Sequence, residues 1–160
     1  MNLPSKTIFL KVVIVLIGIV ALAVMIRFPL TEGRAVNLDL FNIYSDPFII
    51  YGYLASIAFF VALYQAFKLL GYIGQNKAFS LSSVKALRTI KYCAIILSIL
   101  IVMAAVYIRI FHAKDDDPAG FIAIAILATF TSTVIATAAA VFEKLLQRAV
   151  DIKSENDLTV

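Results

Sequence analysis

This sequence is most informative in what it lacks. Among its 160 residues there is one cysteine, Cys93, so no disulfide can form within the chain. Disulfide-stapled folds and membrane redox enzymes that pass electrons through cysteine pairs are excluded. Charge is scarce too: 15% of residues are charged against 62% hydrophobic, and the mean hydropathy is +0.98. Soluble domains hold about 25% charged and about 45–50% apolar residues. A soluble core of this length could not hide so much apolar surface, so the excess faces lipid. Disorder, collagen and coiled coil fall to the same composition. The net charge of +4 does not point to nucleic acid, because the basic residues sit beside the hydrophobic runs and serve there as topology signals.

What is present is four long uncharged runs, residues 12–26, 47–67, 92–108 and 118–142. About 20 helical residues at 1.5 Å each cross a hydrocarbon core of about 30 Å. With Lys11, Arg27, Lys91 and Arg109 extending their charged heads to the surface, the spans become 8–27, 47–68, 91–110 and 118–142. The expected fold is all-α: a polytopic bundle of four transmembrane helices forming a single membrane domain over 1–160, with a helical extension and tail at 143–160. Lys6 and Lys11 before a short apolar run, and Ala21-Leu22-Ala23 after it, imitate a signal peptide. The apolar run continues to Ile26, however, so a retained span is expected.

Lys and Arg set the orientation. The amino terminus, second loop and carboxyl-terminal tail together hold ten of them, and the first and third loops hold four. Both termini and the second loop are therefore expected in the cytoplasm, in a bacterial cytoplasmic (inner) membrane. In the first loop, Val36, Leu38 and Leu40 alternate with polar residues, as in a short extended or interfacial segment. Asn37, Phe41, Ile43 and Tyr44 suit the headgroup region. Asp46-Pro47 opens the second span, since proline is tolerated in a first helical turn.

The second loop has five cations (Lys68, Lys77, Lys85, Arg88, Lys91) and no acid. Gly71 and Gly74 are expected to end the second span. Ser80 reads as an N-cap, with Phe79 and Val84 at hydrophobic-staple positions. Val84, Leu87 and Ile90 then repeat at helical spacing opposite Lys85 and Arg88, giving a basic amphipathic lead-in to the third span that lies on the anionic leaflet. Setting topology is the simpler role for these charges.

The fourth span carries Ala128, Ser132, Ala136 and Ala140 at four-residue spacing, beside Thr129, Thr133 and Thr137. Gly52 and Ser56 begin a shorter version on the second span. Small residues let helix backbones approach in lipid, and hydroxyls bond across the contact. Packing within one bundle is the expected role; a homo-oligomer face or a polar substrate path is the alternative. Beyond the fourth span, Val141, Leu145, Ala149 and Ile152 form an apolar stripe on a helix that continues into water. From Ser154 the periodicity lapses.

Chemistry is sparse. No uncharged run holds an internal Asp, Glu or His, which argues against a proton-coupled exporter. His112 beside Asp115, Asp116 and Asp117 is too poor a set for a defined metal site and reads as a solvated loop. Cys93 reads as a packing residue. Neither a phosphate-binding glycine loop nor a zinc-spaced pair occurs. No catalytic residue, cofactor or metal is expected, and no enzyme.

Two motifs carry a likeness. One is Gln75-Asn76-Lys77-Ala78-Phe79-Ser80 followed by Val84, Leu87 and Arg88. The other is the ending Phe142-Glu143 through Glu155-Asn156-Asp157-Leu158-Thr159-Val160. On these the chain resembles a bacterial family of small four-span membrane proteins known only as a domain of unknown function. The resemblance supports the architecture and supplies no catalytic residue. Members are often encoded beside a small helix-turn-helix regulator, which the resemblance implies as a partner. The expected function is a non-enzymatic regulatory or binding membrane protein. It would act through a cytoplasmic surface made by Phe79, Val84, Lys85 and Arg88 with Leu145, Ala149, Ile152, Asp157 and Leu158. Immunity or stress protection is the alternative, and small-molecule transport the second; transport would need a polar mid-membrane cavity lined by Thr129, Ser132 and Thr133.

Overall fold

A computed structural model describes the backbone of residues 3–31, 39–111 and 118–158, and the side chains of 6–30, 39–111 and 118–156. These residues form α1 (Leu3–Thr31), the one-turn α2 (Leu40–Tyr44), α3 (Pro47–Gly74), α4 (Leu81–Phe111) and α5 (Ala119–Leu158). The four long helices are each long and apolar enough to cross a membrane. All four exceed the expected spans, because the helices run on past the uncharged stretches. His112 and the acidic run after it lie outside the described residues.

The helix ends follow local chemistry. Asp46 caps α3 by accepting the backbone N–H of Phe48 at 2.7 Å and of Ile49 at 3.4 Å, with Pro47 behind it in the first turn. At the other end of α3, Gly71 does not break the helix, and Gly74 is its last residue; the chain turns away two residues later, on Asn76 in the left-handed conformation (φ 57°). The N–H of Lys77 reaches the carbonyl of Tyr72 at 2.8 Å and that of Asn76 reaches Ile73 at 3.1 Å, the paired bonds of a Schellman ending. Asparagine accepts that conformation more readily than most side chains. Ser80 then caps α4 as expected, its Oγ accepting the N–H of Ser83 at 3.3 Å. Phe79, at the staple position, remains 63% exposed.

Two expectations change here. Of Val36, Leu38 and Leu40, expected in a short extended or interfacial segment, only Leu40 is among the described residues, and it opens one helical turn over 40–44 with Ile43 buried. The lead-in to the third span is no separate surface helix. No glycine or proline interrupts residues 81–111, so α4 runs unbroken, and Ser83, Val84, Ala86, Leu87 and Ile90 are buried within the protein instead of lying on lipid.

The long helices pack in chain order, α1 on α3, α3 on α4 and α4 on α5, with α2 bridging α1 and α3. No pair beyond these successive ones makes an extended contact among the described residues. The bundle is open between α1 and α5. Tyr51 and Tyr53 show how α3 holds both neighbours. Two residues apart on a helix means nearly opposite faces. Tyr51 Oη donates to the Leu100 carbonyl of α4 at 2.7 Å, and Tyr53 Oη donates to the Met25 carbonyl of α1 at 3.0 Å. The Met25 carbonyl is free for that bond because Pro29, four residues on, has no N–H to give it. Tyr44 makes the same kind of bond to Ile26, also at 3.0 Å.

Candidate functional site

The polar chemistry concentrates where α4 begins and α5 leaves the membrane, at the end of the bundle that carries both termini. On α5 the buried positions are Ala125, Ser132, Ala136, Ala139 and Glu143, a heptad-like seam facing α4. Ser132 Oγ donates across it to the Ala94 carbonyl at 2.8 Å, which is feasible because alanines on both helices let the backbones close in. The seam's last member is a charge. Glu143 is only 8% exposed and is held from two sides. Arg88 Nε donates to its Oε1 and Lys91 Nζ donates to its Oε2, each at 2.7 Å. Lys91 also lies 4.6 Å from the Tyr92 ring centroid. A carboxylate so enclosed needs both cations, since one left unpaired there would lose its hydration without replacement.

Glu143 went unassigned from sequence, yet the signal was present. Residues 92–108 and 118–142 are joined by a short loop and must run antiparallel. Counting outward from that loop, Lys91 lies 20 residues before Phe111 and Glu143 lies 24 residues after Ala119, so they reach the same level. The only loop with cations and no acid therefore meets the first acid after the fourth span.

The expected partner surface divides. Val84 is 2% exposed and packs inside the protein, so it is not available to a partner, and Arg88 is engaged by Glu143. Phe79 and Lys85 are exposed, as are Leu145 (55%) and Ile152 (67%), while Ala149 is half-buried. The lead-in segment and α5 do meet, but through Glu143; the apolar stripe, begun by exposed Val141, faces away from that junction. α5 continues helical through Asp157 and Leu158, past the expected loss of periodicity at Ser154, although those two side chains lie outside the described ones.

The small-residue stripe divides as well. Ser132 and Ala136 are buried in the seam and Ala140 is half-buried beside it. The threonines mostly bond along their own helix instead of across: Thr133 Oγ1 donates to the Thr129 carbonyl at 2.8 Å, and Thr137 Oγ1 to the Thr133 carbonyl at 2.9 Å. The exception is a 3.5 Å contact between the Thr133 and Ser98 hydroxyls. A side chain added at Gly52 would meet no neighbour within 4 Å, and Gly52, Ser56 and Ala128 share another setting. They line a cavity of about 390 Å³ toward the opposite end of the bundle. That cavity is apolar and does not include Thr129, Ser132 or Thr133, so it is not the polar path that transport would need. Among the described residues, no three His, Cys, Asp or Glu side chains cluster to hold a metal ion.

Comparison with known proteins places this architecture. No solved structure matches the chain. It is 50% identical over 158 residues to the uncharacterized membrane protein YoaS of Bacillus subtilis (strain 168), covering 97% of this chain and 98% of that one. Residues 29–160, from the last turn of α1 to the end, match the family described as Protein of unknown function (DUF2975). The chain is thus a four-helix membrane protein that belongs to the DUF2975 family.

Proposed function

We propose that this protein is a non-enzymatic regulatory membrane protein of the bacterial cytoplasmic membrane, with both termini in the cytoplasm, and that the α5 extension holds a soluble partner at the membrane. The observation that carries the reading is the length and surface of α5. Its 40 residues reach about 60 Å, twice the hydrocarbon thickness. Glu143 fixes the helix to α4 at the membrane boundary, and beyond that point Leu145 and Ile152 stay exposed among Lys144, Arg148, Asp151 and Glu155. An apolar stripe edged by mixed charge suits an amphipathic helix of a partner. The small helix-turn-helix regulator implied by the family resemblance is the partner we assign to it.

The test is fractionation of that regulator in cells expressing the intact chain or its Leu145→Glu, Ile152→Glu variant. Both positions are exposed, so the bundle should fold in either case. We expect the regulator in the membrane fraction with the intact chain and released by the variant. Equal membrane recovery would end the proposal. For orientation, Cys93→Ser provides a background for single cysteines at Asp39 and Lys77. An impermeant thiol reagent added to sealed cells should label the first and spare the second; the reverse pattern would invert the topology.

A further inference from the structure

We infer that the apolar cavity at the loop-bearing end of the bundle is a binding site for one hydrocarbon tail of a membrane phospholipid. All four long helices wall it, with Met25 and Phe28 from α1, Gly52 from α3, Leu100 from α4, and Ala125 and Ala128 from α5 among the lining residues. Its volume of about 390 Å³ lies within the range of small-ligand pockets, about 300–1,000 Å³. The space is built by residue choice. A Cβ added at Gly52 would meet no atom within 4 Å, so the missing side chain there opens volume and brings no neighbour closer.

Polar occupants are disfavoured by the accounting of the wall. Its hydroxyl groups have each given their proton to a backbone carbonyl: Tyr51 to Leu100 at 2.7 Å, Tyr53 to Met25 at 3.0 Å and Ser56 to Tyr53 at 2.6 Å. An ordered water wants two to four polar partners, and this wall offers it no free donor. A helix from a second copy is too large. At about 10 Å across, two turns fill about 850 Å³, more than twice the space.

Access points to the bilayer. α1 and α5 do not pack as neighbours, and the cavity residues they contribute on that side, Val24, Phe28 and Ile124, are exposed, Ile124 by 69%. In a chain whose four long helices can cross a membrane, the medium at that gap is acyl chain. A flexible hydrocarbon tail meets the size, the polarity and the route together.

The test uses the intact chain in phospholipid vesicles containing a trace of phospholipid with a photoactivatable diazirine in its acyl chain, with adducts mapped by mass spectrometry. Adducts are expected on the wall, at Gly52, Ala125 and Ala128. The double variant Gly52→Leu, Ala128→Leu should lose them, and Leu127→Phe, on the exposed face of α5, should keep them. Gly52→Met fills the space from one position and serves the same purpose should the double variant fail to fold. Persistent wall adducts in a folded, filled variant would overturn the site. So would wall labelling by a diazirine fatty acid but not by the phospholipid. A third overturning result is protein dimers, in place of lipid adducts, from a photoreactive residue introduced at Ile124.

Discussion

The α4–α5 pair and the α1–α3 pair are both antiparallel helix contacts between apolar segments, and they are held in different ways. Along α5 the seam is made of alanines and Ser132, and it ends in a carboxylate gripped by two cations. Along α1 no residue between Thr7 and Pro29 is buried. Its side toward α3 includes Lys11 and Gly18, the latter facing Leu63, and polar contacts tie it down near its two ends. At one end, Lys11 Nζ lies 5.1 Å from the Phe67 ring centroid and beside Gly71, and Gly74 faces Thr7. At the other, Tyr44 holds the Ile26 carbonyl and Tyr53 the Met25 carbonyl that Pro29 leaves unpaired. Lipid supplies no hydrophobic force between helices, so close backbone approach and polar bonds decide which contacts are strong. By that measure α4–α5 is the rigid half of the molecule and α1 the more easily displaced one.

The sharpest way to break the contrast is to overfill one side. Ala136→Leu puts a bulky side chain into the α4–α5 seam and should lower stability by about 1–3 kcal/mol in detergent thermal unfolding. Val15→Phe, on the exposed surface of α1, should shift it by no more than about 0.5 kcal/mol. Equal shifts would show that the two pairs are alike. Glu143→Gln comes next. It strips the charge that holds Arg88 and Lys91 and should cost about 1.5 kcal/mol, the low end for hydrogen bonds to charged groups because Arg88 is half-exposed. Exchanging the charges in Glu143→Lys, Lys91→Glu should recover part of the loss in the same melt; no recovery would make the cluster a matter of packing alone.

Smaller effects test the weaker pair. Tyr53→Phe removes the hydroxyl that serves the Met25 carbonyl and should cost about 0.6 kcal/mol, a typical value for a bond between helices in a membrane. In a Pro29→Ala background the new N–H can serve that carbonyl, so the penalty should shrink, and a double-mutant cycle measures it. An unchanged penalty would separate the two residues. Gly74→Ala is the smallest. The added Cβ would sit 3.3 Å from Thr7 Cγ2, and the crowding opposes a helical preference for alanine over glycine of about 0.5–1 kcal/mol. The net change should stay within about 0.5 kcal/mol. A larger loss would mean that α1 depends on this contact far more than its exposure implies.

Helix number and most caps were legible because they depend on residues close in sequence: Asp46-Pro47, Ser80, and the uncharged runs themselves. Gly71 was misread as a helix breaker because glycine signals flexibility and close approach alike, and only the neighbouring Lys11 tells the two apart; α3 does end at Gly74, which faces Thr7. The same ambiguity covered the small residues. Ser132 and Ala136 sit in the seam while Gly52 and Ala128 border empty space, and nothing in their spacing distinguishes the two outcomes. Val84 was assigned to a partner surface because an amphipathic pattern shows that a face is apolar without naming what covers it.

Hydropathy and length are properties of each segment and the bilayer asks for little else, so four membrane-spanning apolar helices could be read directly from the residues. That the helices pack in chain order and leave a gap between α1 and α5 emerged from how they assemble. So did the enclosure of Glu143 by Arg88 and Lys91, and the cavity that Gly52 opens. One cause underlies all of these. A helix that is apolar on every side carries little signal for which side meets protein and which meets lipid, so shape and the level of a few polar atoms make the choice.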